Sequence, residues 1–223
     1  MKILAVSDVE LDIIYSPMIT QRFQDVDLVI GCGDLPYYYL EYMISMLNRP
    51  LYYVKGNHAP RKVEEGVGGQ RTFPWGGVDL HRKVIREPNT GLIMAGIEGS
   101  IQYNRGPYQY SQNEMWAMVL AMVPRLLFNR IFYGRYLDVL VTHAPPWQIH
   151  DKEDLPHQGV RAFRWLIETF KPVFHLHGHI HIYAQYDKTE TQHGPTRVIN
   201  AYGYKQILLE QGDRGRVVGP AIE

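Results

Sequence analysis

Short apolar runs alternate with amphipathic stretches through the first half of the chain. The runs lie at 3–6, 28–30 and 51–54. Each run is continuously apolar, which is typical of strands that are buried on both faces. We expect helices within 10–23 and near 37–47, and Pro17 indicates that the first of them is kinked or starts late. The pattern predicts a parallel sheet built from alternating strands and helices.

The second half continues this pattern towards a more antiparallel end. Predicted strands lie at 92–97, 137–141, 173–176, 182–186, 197–199 and 206–209. Ser111 and Glu114 form a capping box for a helix that we expect to run to about Leu127, ended or bent by Pro124. A second helix is expected over about 159–170, and the glycine-rich stretch 61–77 is expected to be a loop.

Composition favours one globular domain over 1–223, with a marginally ordered polar tail at 211–223. The formal net charge is +0, so no global field attracts nucleic acid or an anionic membrane, and we expect neither partner. The lone Cys32 excludes an internal disulfide, and the first apolar run stops at Ser7, short of a signal-peptide core. We therefore expect a cytoplasmic protein, whose oligomeric state stays open.

Polar side chains that can bind a metal follow several of the predicted strands. They are Asp8, Asp34, Asn57, His58, His143, His179 and His181. Separately, each has an ordinary explanation, since Asp8 can cap a helix and Gly33-Asp34 is a common turn dipeptide. Together they indicate a site, because ligands of α/β proteins collect beyond the carboxyl ends of the strands. Gly178 allows a sharp turn that aims the imidazoles of His179 and His181 at one point.

In order and in context, these segments resemble the signature of the calcineurin-like metallophosphoesterases: D-x-H, G-D, G-N-H, a lone H and G-H-x-H. The resemblance implies an α/β fold, specifically a four-layer α/β/β/α sandwich, that holds two divalent metal ions. It implies that Asp8 and His181 hold the first ion, and that Asp34 bridges both. It assigns Asn57, His143 and His179 to the second ion, and His58 to protonation of the leaving oxygen.

A dinuclear site of this kind favours a metal-dependent phosphoesterase. Two cations lower the pKa of a water held between them, so that hydroxide attacks phosphorus at neutral pH. The small chain favours a phosphodiester or a small-molecule phosphoester as substrate, and a phosphoprotein phosphatase remains an alternative. The competing class is a non-catalytic scaffold or binding module with the same fold.

One position departs from the family pattern, since Glu10 stands where the family has histidine. We expect Glu10 to ligate the first ion. An anionic oxygen ligand favours hard ions, so manganese is preferred, with iron, zinc or magnesium as alternatives. It also lowers the positive charge of the centre, and Arg61, Lys62 and Arg105 are candidates to compensate by binding phosphate. Alternatively, Glu10 points away from the centre and the first metal site is weak.

Three further side chains lie near the predicted ligands in sequence. His175 and His177 either hydrogen-bond to the ligands or are ordinary core residues. Cys32 is interpreted as a packing residue, because the resemblance places no ligand there.

Overall fold

The apolar runs of the sequence form the strands of two central sheets. The computed structural model describes residues 1–59, 63–65, 69–184, 188–210 and 212. In chain order the strands are β1 (Lys2–Ser7), β2 (Leu28–Gly31), β3 (Leu51–Tyr53), β4 (Val63–Glu65), β5 (Gly69–Arg71), β6 (Gly77–Asp79), β7 (Lys83–Arg86), β8 (Ile93–Ile97), β9 (Ser100–Ile101), β10 (Gln109–Tyr110), β11 (Val139–Thr142), β12 (Phe174–His177), β13 (Glu190–His193), β14 (Thr196–Asn200) and β15 (Gly203–Leu208). The helices are α1 (Met18–Arg22), α2 (Tyr37–Leu47), α3 (Gln112–Tyr133) and α4 (Arg161–Phe170), and a short 3₁₀ helix spans Leu155–His157.

Both sheets have a parallel centre, with one antiparallel edge strand in the first sheet and two in the second. The first sheet has the order β15-β1-β2-β3-β6, in which only β15 is antiparallel to its neighbour. The second has the order β13-β14-β12-β11-β8-β7, with β13 and β7 antiparallel at its two edges. This confirms the predicted parallel first half and the antiparallel end of the chain.

The two sheets pack face to face, and helices cover their outer faces. Because side chains alternate along a strand, Ile3 of β1 faces the second sheet, where it joins Val141 and Leu176 in one core. Leu4, the next residue, faces outward into the core formed with α1 and α2. A third core joins the second sheet to α3 and α4. The four-layer α/β/β/α sandwich is confirmed.

Helix α3 was expected to run to about Leu127, with Pro124 ending or bending it, but it continues to Tyr133. The capping box holds its start, where the Ser111 hydroxyl accepts from the Glu114 amide at 3.2 Å. Gly134 ends it in the left-handed conformation, with φ of 73°. The buried face continues beyond Pro124 with Leu126, so packing outweighs the hydrogen bond that proline removes.

Two predictions for the irregular segments were wrong. Strands β4 and β5 pair as an antiparallel hairpin within the stretch expected to be a loop, because backbone pairing needs no apolar alternation there. Residues 182–184 form no strand, and the edge strand β13 starts later, at Glu190. Residues 185 and 186 of that predicted strand lie outside the described residues, as does the predicted tail apart from Gly212.

Candidate metal centre

The predicted ligands follow parallel strands of both sheets, each directly beyond the carboxyl end of its strand. Asp8 follows β1 and Asp34 lies three residues after β2. His143 follows β11, and His179 comes two residues after β12. One oxygen of Asp34 and one nitrogen each of His143 and His179 lie within 4.8 Å of one another. The structure therefore brings together donors from both sheets.

Oxygen atoms of Asp34 and Asn57 converge on one imidazole nitrogen of His143. The His143 Nε2 atom lies 3.1 Å from Asp34 Oδ2 and 3.0 Å from Asn57 Oδ1. The Asn57 amide is oriented by its nitrogen, which donates to the Tyr103 hydroxyl at 3.1 Å, so its oxygen is the atom that faces His143. Asn57 and His143 are both buried.

The donor set around His143 fits a cation. Its Nδ1 atom lies 2.8 Å from the Cys32 carbonyl oxygen, which can only accept, so Nδ1 carries a proton. In a neutral ring, Nε2 then presents a lone pair towards the oxygens of Asp34 and Asn57. Three lone pairs repel one another unless a proton or a metal ion lies between them.

The charges of the site agree with this arrangement. Burial lowers the pKa of His143, but the nearby Asp34 and Asp8 carboxylates outweigh it and raise that pKa to about 9. Burial likewise opposes ionisation of Asp34, but its charge interaction and hydrogen bond with His143 hold its pKa at about 2. Without metal, a proton on Nε2 therefore fills the position that a metal ion would take.

His179 is held in the form that binds metal. Its Nε2 atom lies 2.7 Å from the Pro156 carbonyl oxygen and must donate to it, which leaves the Nδ1 lone pair free. Burial and the charge of His143 lower the pKa of His179 to about 3, so the ring is neutral at pH 7. A neutral imidazole that is oriented by a backbone carbonyl is the usual metal-binding arrangement.

Asp8 and His181 form the other half of the predicted site. Both Asp8 oxygens accept from the His179 backbone amide, at 3.1 and 3.0 Å. Burial raises the pKa of Asp8, partly offset by the charge of His143 and a hydrogen bond from Ser7. His181 Nε2 lies 3.8 Å from Asp8 Oδ1, but 44% of the His181 side chain is exposed. Its Nδ1 atom lies 3.1 Å from the Tyr183 hydroxyl.

Glu10, the position that departs from the family pattern, points to an aromatic side chain. The Tyr38 hydroxyl donates to Glu10 Oε2 at 2.6 Å, and Glu10 itself is exposed. The group of side chains that could hold a metal ion, formed by Asp34, His143 and His179, does not include Glu10. Its role as a ligand stays a prediction.

The remaining predicted site residues lie at the rim or beyond the described chain. His58 is exposed, and its backbone amide donates to Asp34 Oδ1 at 2.8 Å. Arg105 is exposed two residues after Tyr103. Arg61 and Lys62 lie outside the described residues. Phosphate binding by Arg105, Arg61 and Lys62 stays a prediction.

The motif glycines allow the strand ends to approach closely. A Cβ atom on Gly56 would lie 2.0 Å from Asp34 Oδ1, and one on Gly178 would lie 1.9 Å from Ser7 Oγ. Asp8, Asp34 and His179 also adopt positive φ angles of 66°, 53° and 68°. Such conformations cost roughly 1 kcal/mol each and persist where the surrounding structure enforces them, often at functional sites.

Two contacts that orient the ligands were not predicted from the sequence. The Cys32 carbonyl accepts from His143, and the Pro156 carbonyl accepts from His179. Backbone acceptors of this kind leave no mark in residue type. The Cys32 side chain itself packs in the core between the sheets, as predicted.

His175 and His177 are core residues that hydrogen-bond away from the predicted ligand side chains. His175 Nε2 lies 2.8 Å from the Thr142 hydroxyl. His177 Nε2 lies 2.8 Å from Nδ1 of His150, and its Nδ1 lies 2.9 Å from the Gly178 carbonyl oxygen. Burial lowers the pKa of His175 to about 3 and that of His177 well below its ordinary value, so both rings are neutral at pH 7.

Comparison with known proteins agrees with the fold and the donor set. One crystal structure superposes with a TM-score of 0.62 at 16% identity, covering 91% of this chain and 90% of the other. The crystal structure of TT1561 from Thermus thermophilus has a TM-score of 0.55 at 16% identity, covering 91% of this chain and 89% of the other. No match is found among curated proteins.

The sequence profile of the calcineurin-like phosphoesterases matches residues 1–183. The family generally binds divalent metals, and this agrees with the cluster of Asp34, His143 and His179. In general terms this supports a metal-dependent phosphoester hydrolase. The chain belongs to the calcineurin-like phosphoesterase family.

Proposed function

We propose that the chain hydrolyses a phosphodiester or small-molecule phosphoester at a dinuclear metal centre. The observation that carries the proposal is the convergence of one oxygen and two nitrogens, from Asp34, His143 and His179, within 4.8 Å. These groups come from both sheets and are oriented by buried hydrogen bonds. When bound, divalent ions would lower the pKa of a coordinated water and stabilise negative charge on the phosphoryl oxygens.

A cleft beside the site supports a small substrate. It has a volume of about 410 Å³ and is lined by His181, His150, Thr191, Lys152 and Lys188, among other residues. This volume is in the range of small-molecule sites. Asp151, which also lines it, accepts a hydrogen bond from the Gly159 amide at 3.2 Å. The lining thus has two lysines and one carboxylate, and this excess of positive charge favours an anionic substrate, whose phosphoryl group would lie at the metal centre.

His58 is the proposed proton donor to the leaving oxygen. The His58 backbone amide donates a hydrogen bond to Asp34 Oδ1, whereas His58 as a residue is exposed. The imidazole ring is therefore accessible to a substrate. A positioned general acid contributes about 10²- to 10⁴-fold to a rate. That contribution should be large for a basic alkoxide leaving group and small for p-nitrophenolate, which needs no proton to leave.

The test compares His58→Ala with the wild type on two substrates in the presence of manganese. We expect about 10²-fold or greater loss of kcat on an alkyl phosphodiester and a much smaller loss on bis(p-nitrophenyl) phosphate. His193→Ala is the matched control, since His193 lies on β13 and pairs with Glu168.

Each outcome decides between the functions considered. Equal losses on both substrates would show that His58 does not act as the proton donor. Absence of turnover with every divalent metal, on monoesters and diesters alike, would overturn the enzyme and favour a non-catalytic scaffold. Turnover of a phosphopeptide alone would favour a phosphoprotein phosphatase.

A further inference from the structure

Helix α3 carries apolar side chains on the face that points away from the protein. Its inner face buries Met115, Val119, Met122 and Leu126 against the second sheet. The opposite face is also apolar, with exposed Leu120, Leu127, Phe128, Ile131 and Phe132, of which Ile131 is 78% and Phe132 64% exposed. A helix that packs on a core normally has a polar outer face. This exposed stripe, which we call the α3 outer face, therefore indicates a binding surface.

Arginines border the α3 outer face at its carboxyl-terminal half. Arg125 lies over the Phe128 ring at 4.7 Å, and Arg130 lies over the Tyr136 ring at 5.6 Å. Arg86 of β7 lies over the Tyr133 ring at 5.1 Å. Within the described part of the chain, the ion pairs involve other cations, and none includes these three arginines. The border is thus locally cationic although the net charge of the chain is +0.

We propose that the α3 outer face docks on the surface of an anionic lipid bilayer. A helix that lies in the membrane interface places its apolar face among the acyl chains and its arginines beside the headgroups. α3 is also the one described helix whose length and composition would suffice to cross a membrane. Because the inner face of α3 is buried in the core, the helix would lie on the bilayer surface and would not span the bilayer.

A protein partner or a second copy fits this surface less well. The side chains at 117, 120, 121, 124, 127, 128 and 131 offer no hydrogen-bonding group, whereas protein interfaces average about one hydrogen bond per 100–200 Å². Pairing of two copies centred on the most exposed apolar residues, at 127–132, would place the bordering arginines of both copies in one interface. The only acid in α3, Glu114, lies at its other end in the capping box. Anionic headgroups need no such partner groups and neutralise the arginines.

The test measures cosedimentation of the full chain with vesicles of phosphatidylcholine, with or without phosphatidylglycerol. We expect binding to the anionic vesicles that weakens as salt is added. The double variant Ile131→Ser, Phe132→Ser should bind at least about tenfold more weakly, since it removes two exposed apolar side chains. Arg125→Gln should weaken binding about fivefold.

Two control variants keep the result specific. Leu208→Ser removes a 53%-exposed apolar residue from β15, and Arg49→Gln removes an exposed arginine elsewhere. Neither should change vesicle binding. Hydrolysis of a soluble phosphoester should be unaffected in all four variants, so this proposal and the proposed activity fail separately.

Three results would overturn the proposal. One is equal binding to neutral and anionic vesicles, and another is binding that the α3 variants leave unchanged. The third is a dimer in sedimentation velocity that Ile131→Ser, Phe132→Ser dissociates, in a protein that binds no vesicles. This last result would assign the α3 outer face to a second copy of the chain.

Discussion

The two halves of the candidate metal centre differ in how firmly the chain holds their side chains. Around the predicted second ion, Asn57 and His143 are buried, and His179 is hydrogen-bonded to the Pro156 carbonyl. Around the first, 44% of the His181 side chain is exposed, and Glu10 is hydrogen-bonded to Tyr38. Preorganised ligands lose less entropy on binding. We therefore expect the second site to fill first and the first site to bind more weakly.

We call the half around Asn57, His143 and His179 the firm half, and the half around Asp8, His181 and Glu10 the open half. The largest effect should follow from Asp34→Asn, since Asp34 contacts the firm half and is the predicted bridge to the open half. The variant keeps the size of the side chain but removes its charge, so both ions should bind poorly and kcat/KM should fall on the order of 10³-fold. Metal content and hydrolysis are the measurements. Asp25→Asn, at an exposed ion pair with Lys2, is the matched control. Retention of two tightly bound ions would contradict the bridging role.

The pH dependence of the metal-free protein tests the firm half directly. The pKa of His143 is raised to about 9 in the folded chain, against about 6.5 when unfolded. Its stabilising proton is therefore fully present below pH 6.5 and is lost as pH rises through about 9. In the presence of a chelator, the free energy of unfolding should fall by roughly 1–3 kcal/mol as the pH rises from 6.5 to about 9.

Urea denaturation at both pH values, on the wild type and His143→Gln, measures this change. The variant should show a much smaller change, because the titrating ring is gone. An equal change in both proteins would assign the pH dependence to other groups. Metal should bind the wild type more tightly as pH rises through the same range, because it competes with the proton on Nε2.

The same contrast explains how much the sequence could predict. Residue type and position after an apolar run were sufficient to predict that donors of one sheet, such as Asp8 and Asp34, converge, because parallel strands end at one edge of a sheet. That the second sheet brings His143 to the same place followed from the family resemblance. The four-layer fold followed from the family resemblance, since the strands buried on both faces predicted only a parallel α/β sheet. The hairpin of β4 and β5 escaped prediction because its sequence carries no apolar run and is rich in glycine.

The orienting contacts could not be predicted, because they depend on distances between remote segments. Cys32 and His143 are 111 residues apart, and it is the Cys32 carbonyl, present in any residue, that fixes the ring. Whether Glu10 contacts a metal or Tyr38 is likewise decided by a rotamer and not by residue type.

A smaller effect is expected from Tyr103→Phe, which acts on the firm half through Asn57. Without the hydroxyl that accepts from Asn57 Nδ2, the amide can rotate, so the second ion should bind about tenfold more weakly. Calorimetric metal titration measures the affinity. Tyr108→Phe is the control in the same loop, where the ring of Tyr108 contacts Lys55. Equal affinity in Tyr103→Phe and the wild type would show that packing alone orients Asn57.

The smallest effects concern Glu10 and would show whether the open half holds an ion at all. If Glu10 is a ligand, it must break its hydrogen bond with the Tyr38 hydroxyl to reach the metal. Tyr38→Phe removes that hydrogen bond, so the first site should bind its ion a few-fold more tightly. An exposed hydrogen bond contributes about 1 kcal/mol. Glu10→Ala should weaken metal binding at the first site and leave the affinity of the second site unchanged. Glu10→His should bind two ions, as the wild type does. Tyr42→Phe, in the same helix α2, is the control. One ion bound in the wild type and in Glu10→His alike would show that the open half is not a metal site, because Asp8 and His181 would then fail to hold an ion even with the family's residue beside them.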